Sequence, residues 1–510
     1  MPRNLLFCFF VLLGLQTVAA QSISGKIIDS ETGETLSYAN IQINGKENIV
    51  SNAEGNFTVS QKDSDANSLL TVSFLGYKNV NITVSELKAA NFIIKLQPGV
   101  FEMDTVYISN TNFKNNPDSI MVNVKKNLSR NYQSTSKPAK KMLFYREGTA
   151  FKPIKLKVEM TKSTGYKKRD LKGSNAELQA FTSQLVSHPA QEFTDMLCNY
   201  YTAQKTVNDK SFIHSKLEVV KAVKLKDKNR SVDFKELQEA ASKIVFKHLD
   251  TTKYYRIKSG LFGTRDTVLH GNSFNSKKER ENNAKKSAIT TAKYDVTSFM
   301  TSSSIMHNSK FDFINKQELY EYIYAGATQS DKDEWVYVIN FKPRKSAAKY
   351  AGTLYVAEKD FAVVRADYTL GEGKKLGGVN LKFLLGIKQS ENLSRGTVIY
   401  KEREGEPGYY LQYASEETGS YIYVNRPLKF IEITEGDKDE VAFDIKVEAN
   451  MLDKQEYFVI SHTASTESAF DDAKESEFNY IQLDGYDPNI WKDYTTIEPL
   501  QEMKQFKTVE

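Results

Sequence analysis

Six histidines, two cysteines and 64 acidic side chains are the groups in this 510-residue chain that could do chemistry. A hydrolytic zinc site needs imidazoles on one side of the metal with a carboxylate nearby. No histidine here stands in His-Glu-x-x-His or His-x-x-Glu. His188 with Glu192, and His214 with Glu218, are four apart, a spacing that faces one ion when it falls on a helix. Only the first pair lies in a helical stretch, and it straddles Pro189, so both read as surface or helix-start imidazoles. There is no Gly-x-Ser-x-Gly elbow for a serine hydrolase. The run from Gly371 to Gly378 looks like a phosphate loop, but no Gly-Lys-Ser/Thr follows and a strand comes next. Without a helix N-terminus to receive a phosphate, that run is a flexible hairpin. Cys8 falls among the first twenty residues, which leaves Cys198 without an intramolecular partner and marks it as a buried structural thiol. Which carboxylates converge is not written in the sequence, so a glycosidase reading has no support. The basic stretch Lys152 to Lys172 lacks the aromatic interleaving of a nucleic-acid binder. The expectation is therefore no catalytic, metal or cofactor-binding residue, with the ligand-binding residues unknown.

The elements that would carry any site centre on Glu318 to Leu370. Leu319–Tyr324, Trp335–Phe341, Gly352–Val356 and Ala362–Tyr368 are aromatic and β-branched runs separated by acidic or Lys-rich breaks, the pattern of antiparallel strands and turns. Tyr320, Tyr322 and Tyr324 fall on one face, and Trp335, Tyr337, Ile339 and Phe341 recur at period two on the next strand. From Ala292 onward the pattern is almost purely β, with further strands at 379–388, 397–403, 409–413, 420–424, 430–433, 441–447 and 457–461. Strands joined in sequence by short loops indicate a strongly curved antiparallel meander. Before it, Asp118 is expected to cap a helix with Ile120, Val124 and Leu128 on one side. Met142–Glu147 is a strand. Ser174 with Glu177 forms a capping box for a second helix, whose buried side holds Leu178, Phe181 and Leu185 and which Pro189 restarts towards Phe193, Met196 and Leu197. Asp233–Leu249 is a third helix, Thr105–Ile108 a short strand, and Ser273–Ser287 a loop with no apolar face.

Composition sets the class. Apolar residues make up 40% and charged residues 26% of the chain, which suits a globular protein with a sizeable core. The net charge of +5 is unevenly spread: Lys114–Leu178 holds 16 basic and 5 acidic residues, 16 − 5 = +11, whereas Ile431–Glu510 holds 7 and 20, 7 − 20 = −13. Either both regions are solvated surface, or they meet each other, or the basic one faces anionic headgroups. Arg3, the apolar run Leu5–Leu15 and Val18-Ala19-Ala20 have the three-part form of a secretory signal, so the chain is expected to be exported. No stretch approaches the ~20 apolar residues of a membrane-spanning helix.

Ile23–Asp29, Glu31-Thr32-Gly33-Glu34, Ala39–Gly45, Ala53–Val59 and Leu70–Tyr77 are short alternating strands with glycine turns. Together they resemble the carboxypeptidase regulatory-like domain, a transthyretin-like β-sandwich. Ser51-Asn52 stands where that family usually has Thr-Asp. The resemblance implies an accessory module without peptidase chemistry. The module also precedes many outer-membrane receptors, but the remaining length is too short for a 22-stranded barrel. Asn131-Tyr132, Phe144–Glu147, Gly352–Val356 with Val363–Asp367, and Tyr486-Asp487-Pro488 through Trp491 resemble secreted envelope proteins that carry this sandwich. The hairpin Gly352–Tyr368 also resembles part of the outer-membrane lipoprotein-sorting fold, which implies an apolar cavity between a curved sheet and helices.

The expected fold class is mainly β with some α (α+β), a small N-terminal antiparallel sandwich followed by a larger curved antiparallel sheet packed with helices. The expected divisions are a signal at 1–20, the sandwich at 21–97, a linker at 98–117, a mixed helix/strand region at 118–291, the meander at 292–465 and an acidic tail at 466–510, with Trp491 anchoring that tail. The functional expectation is a non-enzymatic envelope protein, periplasmic or at the outer membrane. Its partner would be an envelope protein or lipid, with no nucleic acid and no integral barrel. A hydrolase of envelope polymers and a surface adhesion module are the alternatives.

Overall fold

A computed structural model of the chain describes residues 22–45, 47–60, 65–99, 116–133, 137–164, 171–207, 210–226, 249–250, 253–260, 262–263, 288–306 and 309–506. The signal expected at 1–20, the strand at 105–108, the body of the helix expected from Asp233 and the loop at 273–287 lie outside the described residues. Two compact units emerge: the chain to Pro98 together with Pro488–Leu500, and Gly99–Asp487 with Gln501–Glu510. The protein is mainly β, with small sheets at the N-terminus and one large sheet after them.

In the first unit, β1 (Ile23–Asp29), β2 (Asn40–Ile43), β3 (Glu47–Val50), β4 (Asn56–Val59), β5 (Leu69–Ser73), β6 (Val80–Thr83) and β7 (Ile93–Leu96) form two sheets. Their orders are β4-β1-β7 and β3-β2-β5-β6. Alternation decides this: Ile27, Ile41, Phe57, Val59, Leu70 and Val72 are all fully buried in one core. The arrangement is not purely antiparallel as expected, because β1 runs parallel to β7. Helix α1 (Val84–Ala89) carries the chain from β6 in one sheet to β7 in the other, held at its start by a capping box between Thr83 and Glu86. At the first turn the Asp29 carboxylate accepts the backbone N–H groups of Glu31 and Thr32 and the Tyr77 hydroxyl. Those bonds, the Thr32 amide first, lower its pKa.

The second unit begins with α2 (Pro117–Tyr132) and continues through β8 (Ala139–Ser163), α3 (Leu171–Ser187), β9 (Ala190–Val207), β10 (Lys210–Lys226), β11 (Tyr255–Ser259), β12 (Phe262–Gly263) and α4 (Ala288–Ser302). After α5 (Asp312–Asn315) come β13 (Tyr320–Gln329), β14 (Trp335–Pro343), β15 (Tyr350–Ala357), β16 (Val363–Leu370), β17 (Gly377–Leu381), α6 (Lys382–Leu385), β18 (Ile387–Glu402), β19 (Tyr409–Glu432) and β20 (Glu440–Ala464). Helix α7 (Glu467–Asp472), strand β21 (Ile481–Leu483) and helix α8 (Gln501–Lys504) complete it. The strands form one sheet, in the order β13-β14-β15-β16-β18-β19-β20-β8-β9-β10-β21. The boundary expected at 291/292 therefore falls inside a single sheet, since β20 pairs β8 along almost the whole length of both. That ladder also brings the basic and acidic regions into contact, for example through Lys162 and Glu440 at 2.6 Å. The segment expected as an acidic tail is distributed: α7 packs Phe470 beside Tyr201 and Ala203, and 488–500 belongs to the first unit, where Trp491 is buried.

Several local expectations shift. Asn116, not Asp118, caps α2, its side chain accepting the N–H groups of Asp118 and Ser119 while Pro117 takes the first helical position. Ile120, Val124 and Leu128 are buried as the spacing predicts. Ser174 lies inside α3, which starts at Leu171. Beyond Pro189 the chain is strand, not helix: Phe193 and Met196–Cys198 are buried on both faces of β9, which erases the period-two signal. The organising strands pair as the aromatic spacing suggests, Tyr322 opposite Phe341 and Tyr324 opposite Ile339, with a bulge before Gly326. Helices α2, α4 and α5 lie on one face, where Val124, Phe299 and Phe313 meet Leu143, Tyr145, Leu354, Val398 and Tyr457. A smaller core gathers Leu171 and Leu178 of α3 with Met160, Tyr255, Phe430 and Phe443.

Candidate functional site

None of the sequence-named groups assembles into a reactive centre. His188 follows the last residue of α3 with Nδ1 3.0 Å from the Ser187 hydroxyl, and Glu192 is ion-paired with Lys224 at 3.2 Å. His214 and Glu218 both lie on β10, where four residues span about 13 Å along a strand, beyond any shared metal. Glu218 instead accepts from Asn199 and from the Tyr201 hydroxyl. Among the described residues no three His, Cys, Asp or Glu side chains form a metal-binding group. Cys198 points into the helix-side core, and burial pushes its thiol pKa well up, the opposite of activation. Gly371–Gly378, expected as a hairpin, is instead the connection from β16 to β17, which run in the same direction along β18, with Leu376 N–H donating to Glu391 O and the hairpin turn at Lys382–Gly386.

What sequence reasoning missed is a polar row across the face away from the helices. Direct pairings line up Asp367, Thr397, Ser415, Glu456, Arg146 and Asp195 on six neighbouring strands. Arg146 is 1% exposed and grips Asp195 through two hydrogen bonds, Nε–Oδ1 at 2.7 Å and Nη2–Oδ2 at 2.8 Å. Its Nη1 lies 3.7 Å from an oxygen of Glu456, a fully buried carboxylate that also accepts from the Tyr413 hydroxyl. The Phe144 ring sits under the guanidinium, 5.2 Å away. At the other end Arg365 Nε and the Thr397 hydroxyl both donate to Asp367. A locked arginine between carboxylates offers no proton to move. It fixes the register of β9, β8 and β20, because a one-residue slip would bury each charge unpaired. The signal was present in the sequence as charges within or beside apolar runs: Arg146 after Met142–Tyr145, Asp195 within Phe193–Cys198 and Glu456 before Tyr457–Val459.

A second polar cluster lies at the edge of the same ladder. Lys141 and His462 are directly paired, and both approach the Tyr410 ring, at 5.9 Å and 4.5 Å. Burial and the Arg403 guanidinium lower Lys141 to about 8. Burial, then Lys141 and Arg403, lower His462 to about 4. Like charges are crowded here, with Glu406 tied to Lys137 at 2.8 Å. Beside α4, a pocket of about 390 Å³ is lined by Ile289, Lys293, Tyr294 and Thr297, with Ser215 and Glu475 opposite. Its rim is closed by the Lys293–Glu475 ion pair at 2.9 Å.

In the first unit the returning segment is held by Asn52, which is fully buried. Its Nδ2 donates to the carbonyls of Glu498 and Pro499 at 3.2 and 3.3 Å, while Oδ1 accepts from the Glu54 and Asn56 amides. Thr58 donates to the Glu498 carboxylate.

Residues 23–108 match the family described as CarboxypepD_reg-like domain. The N-terminal module is a carboxypeptidase regulatory-like domain. The match covers the two small sheets and ends before the large sheet begins. No curated protein matches the chain. Two solved structures show remote likeness, each at 7% identity over 65% of this chain. One is the MucA/MucB complex of Pseudomonas aeruginosa (94% of that chain, TM-score 0.15) and the other an outer membrane channel from Pseudomonas putida F1 (97% of that chain, TM-score 0.11). At these scores the chains do not superpose as whole folds.

Proposed function

We propose that this chain is a non-enzymatic protein of the cell envelope, exported by its first twenty residues and periplasmic or held at the outer membrane. In this reading the N-terminal sandwich is a docking module, and the curved sheet is a rigid platform for a protein partner. The observation that carries it is the closure of the helix side of the sheet by the chain's own side chains. Val124, Phe299, Phe313, Leu354 and Tyr457 are each at most 2% exposed. That favours a protein partner over the apolar ligand that the lipoprotein-sorting likeness implies. The pocket beside α4 is near the lower end of the roughly 300–1,000 Å³ that ligand pockets usually occupy. Catalysis finds little support, since the polar row holds its charges in fixed pairs and the candidate histidines stand apart from other metal ligands.

Cross-linking of the intact protein in envelope fractions tests this. The expected result is one or a few discrete protein adducts at high yield. Turnover of an envelope glycan or peptide by the purified chain would refute it, if a single Asp, Glu or His substitution abolished turnover while leaving the fold intact.

A further inference from the structure

The two most exposed large apolar side chains among the described residues stand side by side on one turn. Between β17 and β18 the chain forms the single turn α6, and there Phe383 is 103% exposed and Leu384 79%. Val379 at 52% and Leu376 at 38% continue the apolar surface down the hairpin. Lys382 and Lys388 flank the tip, and no acidic residue occurs between Gly373 and Ser390, while Lys374 and Lys375 lie at the base of the hairpin, where Lys374 donates to Ser346 O. The nearest acids in sequence are Glu372 and Glu391, at the base of the hairpin.

The tip is anchored firmly. Gly386 closes the turn at φ +63°, and its N–H donates to Lys382 O. The Gly386 carbonyl accepts Asn425 N–H of β19 at 2.7 Å, an approach so close that an added Cβ would lie 2.1 Å from Asn425 O. The Lys382 ammonium lies over the Tyr423 ring at 4.4 Å, and that of Lys388 over the Tyr421 ring at 5.2 Å. The two exposed apolar side chains are therefore presented by a rigid support with cations set behind them.

We propose that this tip inserts into an anionic lipid surface. Phe383 and Leu384 enter the acyl boundary, and Lys382 and Lys388 meet the headgroup charge. The shape selects this occupant. A protruding knob needs a medium that deforms around it, and two ammonium groups set behind apolar side chains match the layering of an anionic leaflet. This contact would hold the protein at a membrane whether or not a protein partner is bound.

The test uses the chain lacking its first twenty residues, so that Cys198, buried in the core, is the only native thiol. Leu384→Cys carrying an environment-sensitive fluorophore should shift to the blue with vesicles containing phosphatidylglycerol, and stay unshifted with phosphatidylcholine alone. In sedimentation with the anionic vesicles, the double variant Phe383→Ser, Leu384→Ser should lose on the order of tenfold or more in partitioning, with circular dichroism unchanged. Lys382→Gln with Lys388→Gln should weaken binding, and most at low salt. An unshifted probe with anionic vesicles would overturn the proposal, including the case where the tip serves a protein. So would undiminished binding by the serine variant.

Discussion

Asn52→Asp exchanges one amide nitrogen for oxygen at a fully buried position where two carbonyls converge. The turn that Oδ1 organises, through Glu54 and Asn56, survives the change. The two bonds from Nδ2 to Glu498 O and Pro499 O do not, because an ionised carboxylate has no proton to donate. Two such bonds contribute about 1–3 kcal/mol together, and leaving buried acceptors facing a carboxylate adds about 1–2 kcal/mol. The expected loss for the first unit is therefore about 2–5 kcal/mol. The chain has two tryptophans, Trp335 in the large sheet and Trp491 in the returning segment. A Trp335→Phe background makes Trp491 fluorescence a specific reporter of the first unit during urea unfolding. Asn52→Asp should lower that transition at pH 7 and recover part of the loss in acid, where a protonated carboxyl can donate again. A change below about 0.5 kcal/mol, or an equal loss in a chain already cut after Asp487, would refute the reasoning.

Further outcomes follow from the large sheet. Arg146→Met strands two buried carboxylates, Asp195 and Glu456, and should cost about 3–5 kcal/mol by urea unfolding followed by circular dichroism; a loss below about 1 kcal/mol contradicts the reading of the row. Gly352→Ala would place a Cβ 1.9 Å from the backbone oxygen of Asp367, forcing β15 and β16 apart. It should cost about 1–3 kcal/mol in the same assay, with an unchanged midpoint as the contrary result. His462 titrates near 4 when folded and near 6.5 when unfolded. Between those values the unfolded chain binds the extra proton, so stability present above about 6.5 is lost as the pH falls towards 4. His462→Gln should flatten the urea midpoint between pH 7 and 4.5 relative to the parent.

The strands from Tyr320 to Leu370 were legible because aromatic and apolar residues alternate there and one face is buried. β9 was misread for the converse reason: with both faces covered, Phe193 to Cys198 carries no alternation to tell strand from helix. The first unit's strands showed in glycine turns and alternation, but the parallel β1–β7 pairing depends on a crossover that leaves no local mark. Asn52 looked like a neutral departure from its family because its partners are 446 and 447 residues away. The polar row was half visible. Charges within or beside apolar runs mark Arg146, Asp195 and Glu456, yet only the registers of β20 on β8 and of β8 on β9 make them neighbours. The exposed tip was hidden in a run that read as one continuous strand, 379–388, which the turn at Lys382–Leu385 breaks into two paired strands.

The central claim is that the large sheet is sealed on its helix side by its own aromatic core and works through its outer surfaces. Native mass spectrometry of the intact protein, purified without denaturant and followed by lipid extraction, tests this most directly. The account predicts the mass of the polypeptide alone, unchanged by added free lipid. A stoichiometric acyl-lipid adduct that survives gas-phase activation would contradict it.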